Sequence, residues 1–569
     1  MEGSRVALAS LAARTVGFLL DASILAFLFI LILIIATGGG VIEIAGRTIR
    51  ARGVENPFWI LTALIALRYA VQDWTSFLSI PRWPVDRLVQ GGVRLVTVEV
   101  PRAVERFFSK PVKALLIVAA CTCALKVLLA WMSPGFFSGD DVEIHEMSIG
   151  ALLGKRWSVW ELRSPFFPMT FIYPAQWLSF SMGGTSPGAL VLSGRAVVAL
   201  LSTAAIPLTW LAARRLAPED SRLAAFAVLL LAVNKLFIAF GSSELPRPVS
   251  SVFVLSAFLF FLRPGIAATF AAGTLLGVAV AFRFSEAVFV VTAVLMLSRA
   301  RKWTRAAVLG AAAALVAAGI TAAADALYSG SPLSSARAAV SYTLIEGRSS
   351  RGYQPVWEYL RIVPAWSAVM FVVLAIAGTR RRHPDSWWLW TPLALLSLLP
   401  HKESRYLIPI VPFLCIGAAR GLVRAIDALR EPGTVTGPRL WVRELFAPVL
   451  ILAVLHEAGG WRLPRTNDGV RLARHLQDNG GMGIAAQDFW NLGGRPYLWQ
   501  QEPLVNIDAA VLARRDEAAA AIAGKTWVAL RSRSARAGGD ALVTSLGFAR
   551  DPSWRSDEYV LYVRRERRP

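Results

Sequence analysis

The chain has 569 residues, 55% of them hydrophobic and only 17% charged, with a formal net charge of +22. Soluble proteins carry about a quarter charged residues, and a mean hydropathy of +0.51 excludes a soluble globular class. The positive charge does not point to nucleic acid, because Arg and Lys cluster in short segments between apolar runs, which is a topological pattern and not a binding face. Cys121, Cys123 and Cys415 lie inside apolar runs and give no disulfide framework.

Hydropathy predicts about 13 membrane spans, near 18–36, 57–79, 113–132, 187–211, 223–240, 248–262, 265–282, 285–299, 306–326, 365–379, 386–400, 406–422 and 444–458. The first is too long for a signal-peptide core and reads as a retained anchor. Basic residues crowd 81–113, Arg214–Arg215, Arg299–Arg305 and Arg380–Arg382, and all fall on one side if the amino terminus is cytoplasmic. The opposite side then receives 37–56, 133–186, 327–364, the segment around His401, and the tail from about 459. Alternation around a Gly makes 37–56 a candidate hairpin. The Trp-, Phe- and Pro-rich 133–186 reads as short interfacial helices. Gly273 and Gly277 form a small-xxx-small helix-packing stripe.

Composition changes near 468. An amphipathic VRLARHLQD, a strand MGIAAQ, an Ala-rich charged helix near 508–523, and strands WVALR and EYVLYVR predict a small α/β domain outside the membrane. Its GGMG precedes a strand, whereas a dinucleotide loop follows one, so no nucleotide site is assigned. The expected organisation is 1–112 for two amino-terminal spans and a basic loop, 113–458 for the transmembrane core, and 459–569 for the terminal domain.

Three segments could carry chemistry. FFSGDDVEIHE places Asp140, Asp141, Glu143, His145 and Glu146 at the mouth of the membrane. Ser138 and Asp141 fit a capping box, a partly desolvated carboxylate there fits a general base, and His145 with the acids could hold a metal. HKESRY packs His401, Lys402, Glu403, Arg405 and Tyr406 between two apolar runs; its cations suit a phosphate better than simple snorkelling does. ELRSPFFP offers Arg163 and Ser164 as a loop anchor or a headgroup contact. Glu244 with Arg247 and Arg283 with Glu286 read as ion pairs at the outer ends of spans.

In order, GDD at Gly139–Asp141, LRS at Leu162–Ser164 and HKESRY at His401–Tyr406 resemble the class C glycosyltransferases of family 22, the lipid-phosphate-mannose-dependent mannosyltransferases. The likeness covers roughly 113–430, including a long loop from Asp325 to Pro364. It implies a polytopic helical fold of class C type and transfer of a hexose, mannose by the family's habit, from a polyprenyl-phosphate donor to a lipid-linked or surface glycan acceptor. Inversion at the sugar needs one base, Asp140 or Asp141. The binding set would be Glu143, His145, Arg163, Ser164, His401, Lys402, Glu403, Arg405 and Tyr406, with Glu403 orienting Lys402 or Arg405. No cofactor, metal or nucleic acid is called for. Gly139-Asp140-Asp141 departs from the family's usual Pro-Asp-Glu or Cys-Asp-Glu, which leaves both carboxylates open as the base. The extra spans and terminal domain suggest a bacterial relative working on the non-cytoplasmic face of the plasma membrane. A flippase, or a polymerase or ligase of lipid-linked saccharides, is the alternative; the halves show no internal repeat of the transporter kind.

Overall fold

The computed structural model describes residues 91–347, 353–379, 383–430, 439–480 and 482–565, together with parts of 15–67. Of the expected span near 18–36, residues 19–27 and 29–30 are described and helical, whereas the span near 57–79 lies largely, and the Arg380–Arg382 triplet wholly, outside the described residues. Strands β1 (Gly40–Ile44) and β2 (Arg47–Ala51) pair antiparallel, with Ile42 opposite Ile49, so the expected hairpin is present.

Every span expected between 113 and 458 is a helix or a helix pair. They are α1 (Pro111–Met132), α3 (Pro187–Thr203) running on into α4 (Ala205–Leu216), α5 (Ser221–Val233) with α6 (Lys235–Gly241), α7 (Arg247–Phe261) and α8 (Ile266–Phe282). Then follow α9 (Ala287–Arg299), α10 (Trp303–Ser329), α11 (Val369–Gly378), α12 (Pro384–Leu398), α13 (Val411–Arg430) and α14 (Arg439–Gly459). The loop between α1 and α3 carries α2 (Gly139–Leu152) and a short helix Tyr173–Ser181.

The ends have local causes. Pro starts α1, α3 and α12 in the first turn, where a missing N–H costs nothing. Ser186 and Asp220 cap α3 and α5 through their side-chain oxygens. Asn234 interrupts an otherwise continuous apolar run: it caps α6 by accepting from the Phe237 N–H at 3.2 Å, and α5 and α6 meet at 52°. By length and composition four described helices could cross a bilayer, or five counting this bent pair; several others are apolar but shorter. Gly273 and Gly277 let α8 lie directly on α10. A Cβ there would sit 2.6 Å from the Leu309 carbonyl and 2.7 Å from that of Ala313, as the small-residue stripe implies.

The tail folds as expected into an α/β unit. After α15 (Asn467–Asp478) come β3 (Ile484–Ala486), β4 (Leu504–Asn506), β5 (Trp527–Arg531), β6 (Phe548–Arg550) and β7 (Tyr559–Arg564), in the order β4-β3-β5-β7-β6. The β3 pairings are parallel and those of β7 antiparallel. Strand alternation divides the interior. Trp527, Ala529, Tyr559 and Leu561 face one core, whereas Val528, Leu530 and Tyr562 face the other. The first core also contains Phe136, Val142 and Ile149 of the α2 region with Leu190 and Val191 of α3, so the domain and the loop share one hydrophobic interior.

Candidate active site

The turn from Ser133 to Ser138 delivers the chain into α2, and Ser138 occupies the N-cap position. The expected capping box does not form, because no side-chain oxygen accepts an N–H of the first turn of α2. The Ser138 hydroxyl donates to Asp141 at 3.1 Å, and Asp141 accepts the Phe137 N–H at 3.0 Å. Successive helical residues point about 100° apart, and here that separates the two acids. Asp141 is fully buried against its own turn, whereas Asp140 lines a cavity of about 550 Å³.

Around Asp140 the structure gathers guanidinium groups from several segments. Arg163 pairs with it at close range, Arg405 lies 2.9 Å away and Arg283 3.3 Å. Burial alone would raise its pKa, but Arg405, Arg163 and Arg283 outweigh that and hold the carboxyl well below its ordinary value. Asp141 behaves oppositely. Desolvation and the nearby charge of Glu244 push it up to about 7. The two neighbours therefore differ in kind: Asp140 is held as an ionised carboxylate in the cavity, and Asp141 is a buried acid that keeps its proton to higher pH than an ordinary carboxyl.

His401, Glu403, Arg405, Tyr406, Arg163 and Ser164 all reach the cavity. Glu403 pairs with Arg405 and lies 3.4 Å from His401, so it orients Arg405 and not Lys402. Four of the residues expected in the site do not line this cavity. Lys402 is turned away and buried: its ammonium donates to the carbonyls of Gln354 and Leu399 at 2.9 and 2.5 Å, and its N–H to the Gln354 side chain at 2.6 Å. Thus Lys402 pins the outer loop to the HKESRY segment. Glu143 sits behind Arg163, accepting from that guanidinium and from the Trp160 N–H at 3.1 Å. His145 is enclosed between Gln176 at 2.8 Å and Glu244 at 3.6 Å, where burial lowers its pKa. Asp141 is the fourth. Among the described residues, no three His, Cys, Asp or Glu side chains assemble as a metal-ligating group.

Two further cavity arginines, Arg247 and Arg283, stand in the sequence beside acids that suggest simple ion pairs. Neither pair forms among the described residues. Glu244 binds Arg195 through both carboxylate oxygens, at 2.7 and 3.2 Å, and Glu286 accepts from Ser250 and Ser285. Arg247 instead lies 3.8 Å over the Tyr406 ring and donates to Ser285 at 3.2 Å. Its Nη1, and the Nε of Arg283, are buried donors without a partner among the described residues. Unpaired buried guanidinium donors are costly, and both belong to side chains that line the cavity. The signal in sequence is position: each lies at a helix end bordering the same cavity. Away from these cations the walls turn apolar, with Phe167, Phe282 and Val288, while Trp160 and Tyr342 meet edge to face beside the mouth.

The model of the Alg9-like mannosyltransferase family matches residues 149–475, more than half of the chain. The chain belongs to that family. One relative, the alpha-1,2-mannosyltransferase ALG9 of Arabidopsis thaliana, is 26% identical over 228 residues, which cover 37% of this chain and 38% of that protein. The match thus spans under two-fifths of the relative's length. Among solved structures, ArnT from Cupriavidus metallidurans in the apo state superposes with a TM-score of 0.53 at 15% identity, covering 80% of this chain and 98% of that one. The same protein bound to undecaprenyl phosphate gives 0.52 at 13%, covering 79% and 97%. The fold is that of the class C glycosyltransferases, and the chain is an integral membrane protein.

Proposed function

We propose that the chain transfers a hexose, mannose by family, from a polyprenyl-phosphate donor to the hydroxyl of a lipid-linked or surface glycan acceptor, with inversion. The observation that carries the reading is one cavity that holds an ionised carboxylate, Asp140, among Arg163, Arg247, Arg283 and Arg405, two of which keep unused buried donors. A phosphodiester leaving group needs charge stabilisation more than protonation, and guanidinium groups supply it. The apolar wall beside them suits the first isoprenoid units, and undecaprenyl phosphate is the ligand bound in the related ArnT structure.

In the step, the acceptor oxygen bonds to the anomeric carbon while the bond from that carbon to the phosphate oxygen breaks. Asp140 takes the hydroxyl proton, and polyprenyl phosphate departs against Arg247, Arg283 and Arg405. The resting clamp makes Asp140 a weak base. A donor phosphate that draws arginines to itself raises the basicity of Asp140, which would arm the base only when donor is present. Asp141, held against the Phe137–Ser138 turn, stays out of the reaction.

The test is transfer from radiolabelled polyprenyl-phosphate-mannose by the purified chain in lipid nanodiscs. Labelled glycan with release of polyprenyl phosphate supports the reading. Movement of donor across the bilayer of sealed vesicles without bond cleavage would make the chain a flippase, and turnover of a pyrophosphate-linked saccharide alone would make it a polymerase or ligase.

A further inference from the structure

The turn that aims Asp140 is gripped by a segment remote in sequence. Ser133 to Ser138 connects α1 to α2 and has no regular structure of its own. Arg465 donates to the Ser133 carbonyl at 2.7 Å, and to the Ser242 carbonyl at 2.7 Å on the turn that bears Glu244. The Thr466 N–H donates to the Phe136 carbonyl at 3.0 Å. Asn467 accepts the Gly135 N–H at 2.9 Å through its side-chain oxygen. From the other side Arg195 holds the Ser133 and Gly135 carbonyls at 3.0 and 2.8 Å. The fit is close at Gly135, where a Cβ would lie 2.6 Å from the carbonyl carbon of Thr466.

Beyond this strap the terminal domain continues the grip along α2. Gly494 abuts Val142, where an added Cβ would come within 2.5 Å, and the Arg495 N–H donates to Glu146 at 3.4 Å. Phe136 and Val142 share a core with Val470, Tyr497 and Leu498. Two turns of α2 are thereby held between the membrane helices and the terminal domain, on the side of the helix opposite the cavity.

We propose that Arg465, Thr466 and Asn467 form a positioning strap for Asp140, so that the terminal domain holds the base in register with the donor phosphate without touching substrate. The proposal rests on the transfer reading above. A displacement of about 1 Å in a reacting group can cost on the order of 100-fold in turnover, whereas the arginines that hold phosphate sit on α7, α8 and HKESRY, segments that Asn467 itself does not touch. The strap should therefore govern kcat and leave donor binding alone.

The experiment uses the full-length protein in nanodiscs, with undecaprenyl phosphate as the binding probe and labelled polyprenyl-phosphate-mannose as donor. Asn467→Leu removes the acceptor for Gly135 while keeping volume, Asn467→Ala is a milder version, and Asn467→Asp restores an acceptor oxygen at the same place. The expected result is a kcat lowered about 10- to 100-fold in the Leu and Ala variants, recovery in Asn467→Asp, and undecaprenyl phosphate affinity within about twofold of the parent throughout. Folded Leu or Ala variants with parental kcat would overturn the strap. So would loss of probe affinity in step with kcat, which marks general damage. A parent chain without transferase activity would instead overturn the reading on which the strap rests.

Discussion

Asp140 and Asp141 are adjacent and chemically identical, yet the fold assigns them opposite protonation behaviour. For Asp140 the clamp predicts a split between two pH profiles. In the free enzyme the arginines hold its pKa below the ordinary carboxylate range, so kcat/KM should show no acid limb from this group above about pH 4. In the donor complex, phosphate competes for those arginines, the pKa rises, and the acid limb of kcat should lie at higher pH than that of kcat/KM. Coincident limbs would remove the arming step from the mechanism. Asp140→Asn should lower transfer by about 10²–10⁴-fold with donor binding retained. Asp141 is a stability group. Its folded pKa of about 7 lies above the unfolded value, so its contribution is full below about pH 4 and is lost as pH rises through 7. Thermal unfolding of Asp141→Asn in detergent should consequently decline less between pH 5 and 7 than that of the parent; an equal decline would contradict the assignment.

At the scale of elements, the helices and three of the five strands of the terminal domain are legible from periodicity and apolar runs. MGIAAQ, WVALR and EYVLYVR become β3, β5 and β7. Strands β4 and β6 are three residues each, as is β3, but they stand in no apolar run of the kind that marks MGIAAQ. The cavity is half legible. HKESRY and GDD announce themselves by charge density beside apolar runs, but charge density does not say which way a side chain points. Lys402 turns to the Gln354 loop and His145 turns to Glu244 because helix and turn geometry, and not composition, set those directions. Arg247 and Arg283 are obscured by the nearby Glu244 and Glu286, whose partners include Arg195 of α3 and Ser250 of α7. The α8–α10 contact is the most plainly readable element feature, and it is testable. Gly277→Leu would drive a side chain into the Ala313 carbonyl and Val316, and overpacking of this kind typically costs about 1–3 kcal/mol. The variant should lose thermal stability in detergent more than Gly310→Leu on α10, where the nearest neighbour of an added Cβ is 3.7 Å away.

For the whole molecule, alternation of helix direction ties the cavity to one face. The chain passes the cavity at the start of α7, the end of α8 and the junction after α12, while the intervening connections lie at the opposite ends. Those opposite ends carry Arg214 and Arg215 at the close of α4, Arg299 to Arg305 between α9 and α10, and Arg424 and Arg430 in α13. Cytoplasmic loops retain such cations, which supports placing Asp140 and the terminal domain together on the non-cytoplasmic side. Because Arg495 and Gly494 sit directly against α2, domain and cavity cannot lie on different sides. A protease added to sealed right-side-out vesicles should therefore cleave within the terminal domain, whereas sealed inverted vesicles should protect it until detergent is added. Asn479 and Met482 are exposed and suit an inserted cleavage site. Undecaprenyl phosphate should slow cleavage at a second inserted site near Tyr353, on the loop that Lys402 pins beside the cavity, and leave the Met482 site unchanged. Cleavage of the terminal domain in intact inverted vesicles would reverse the topology and place the chemistry on the cytoplasmic face.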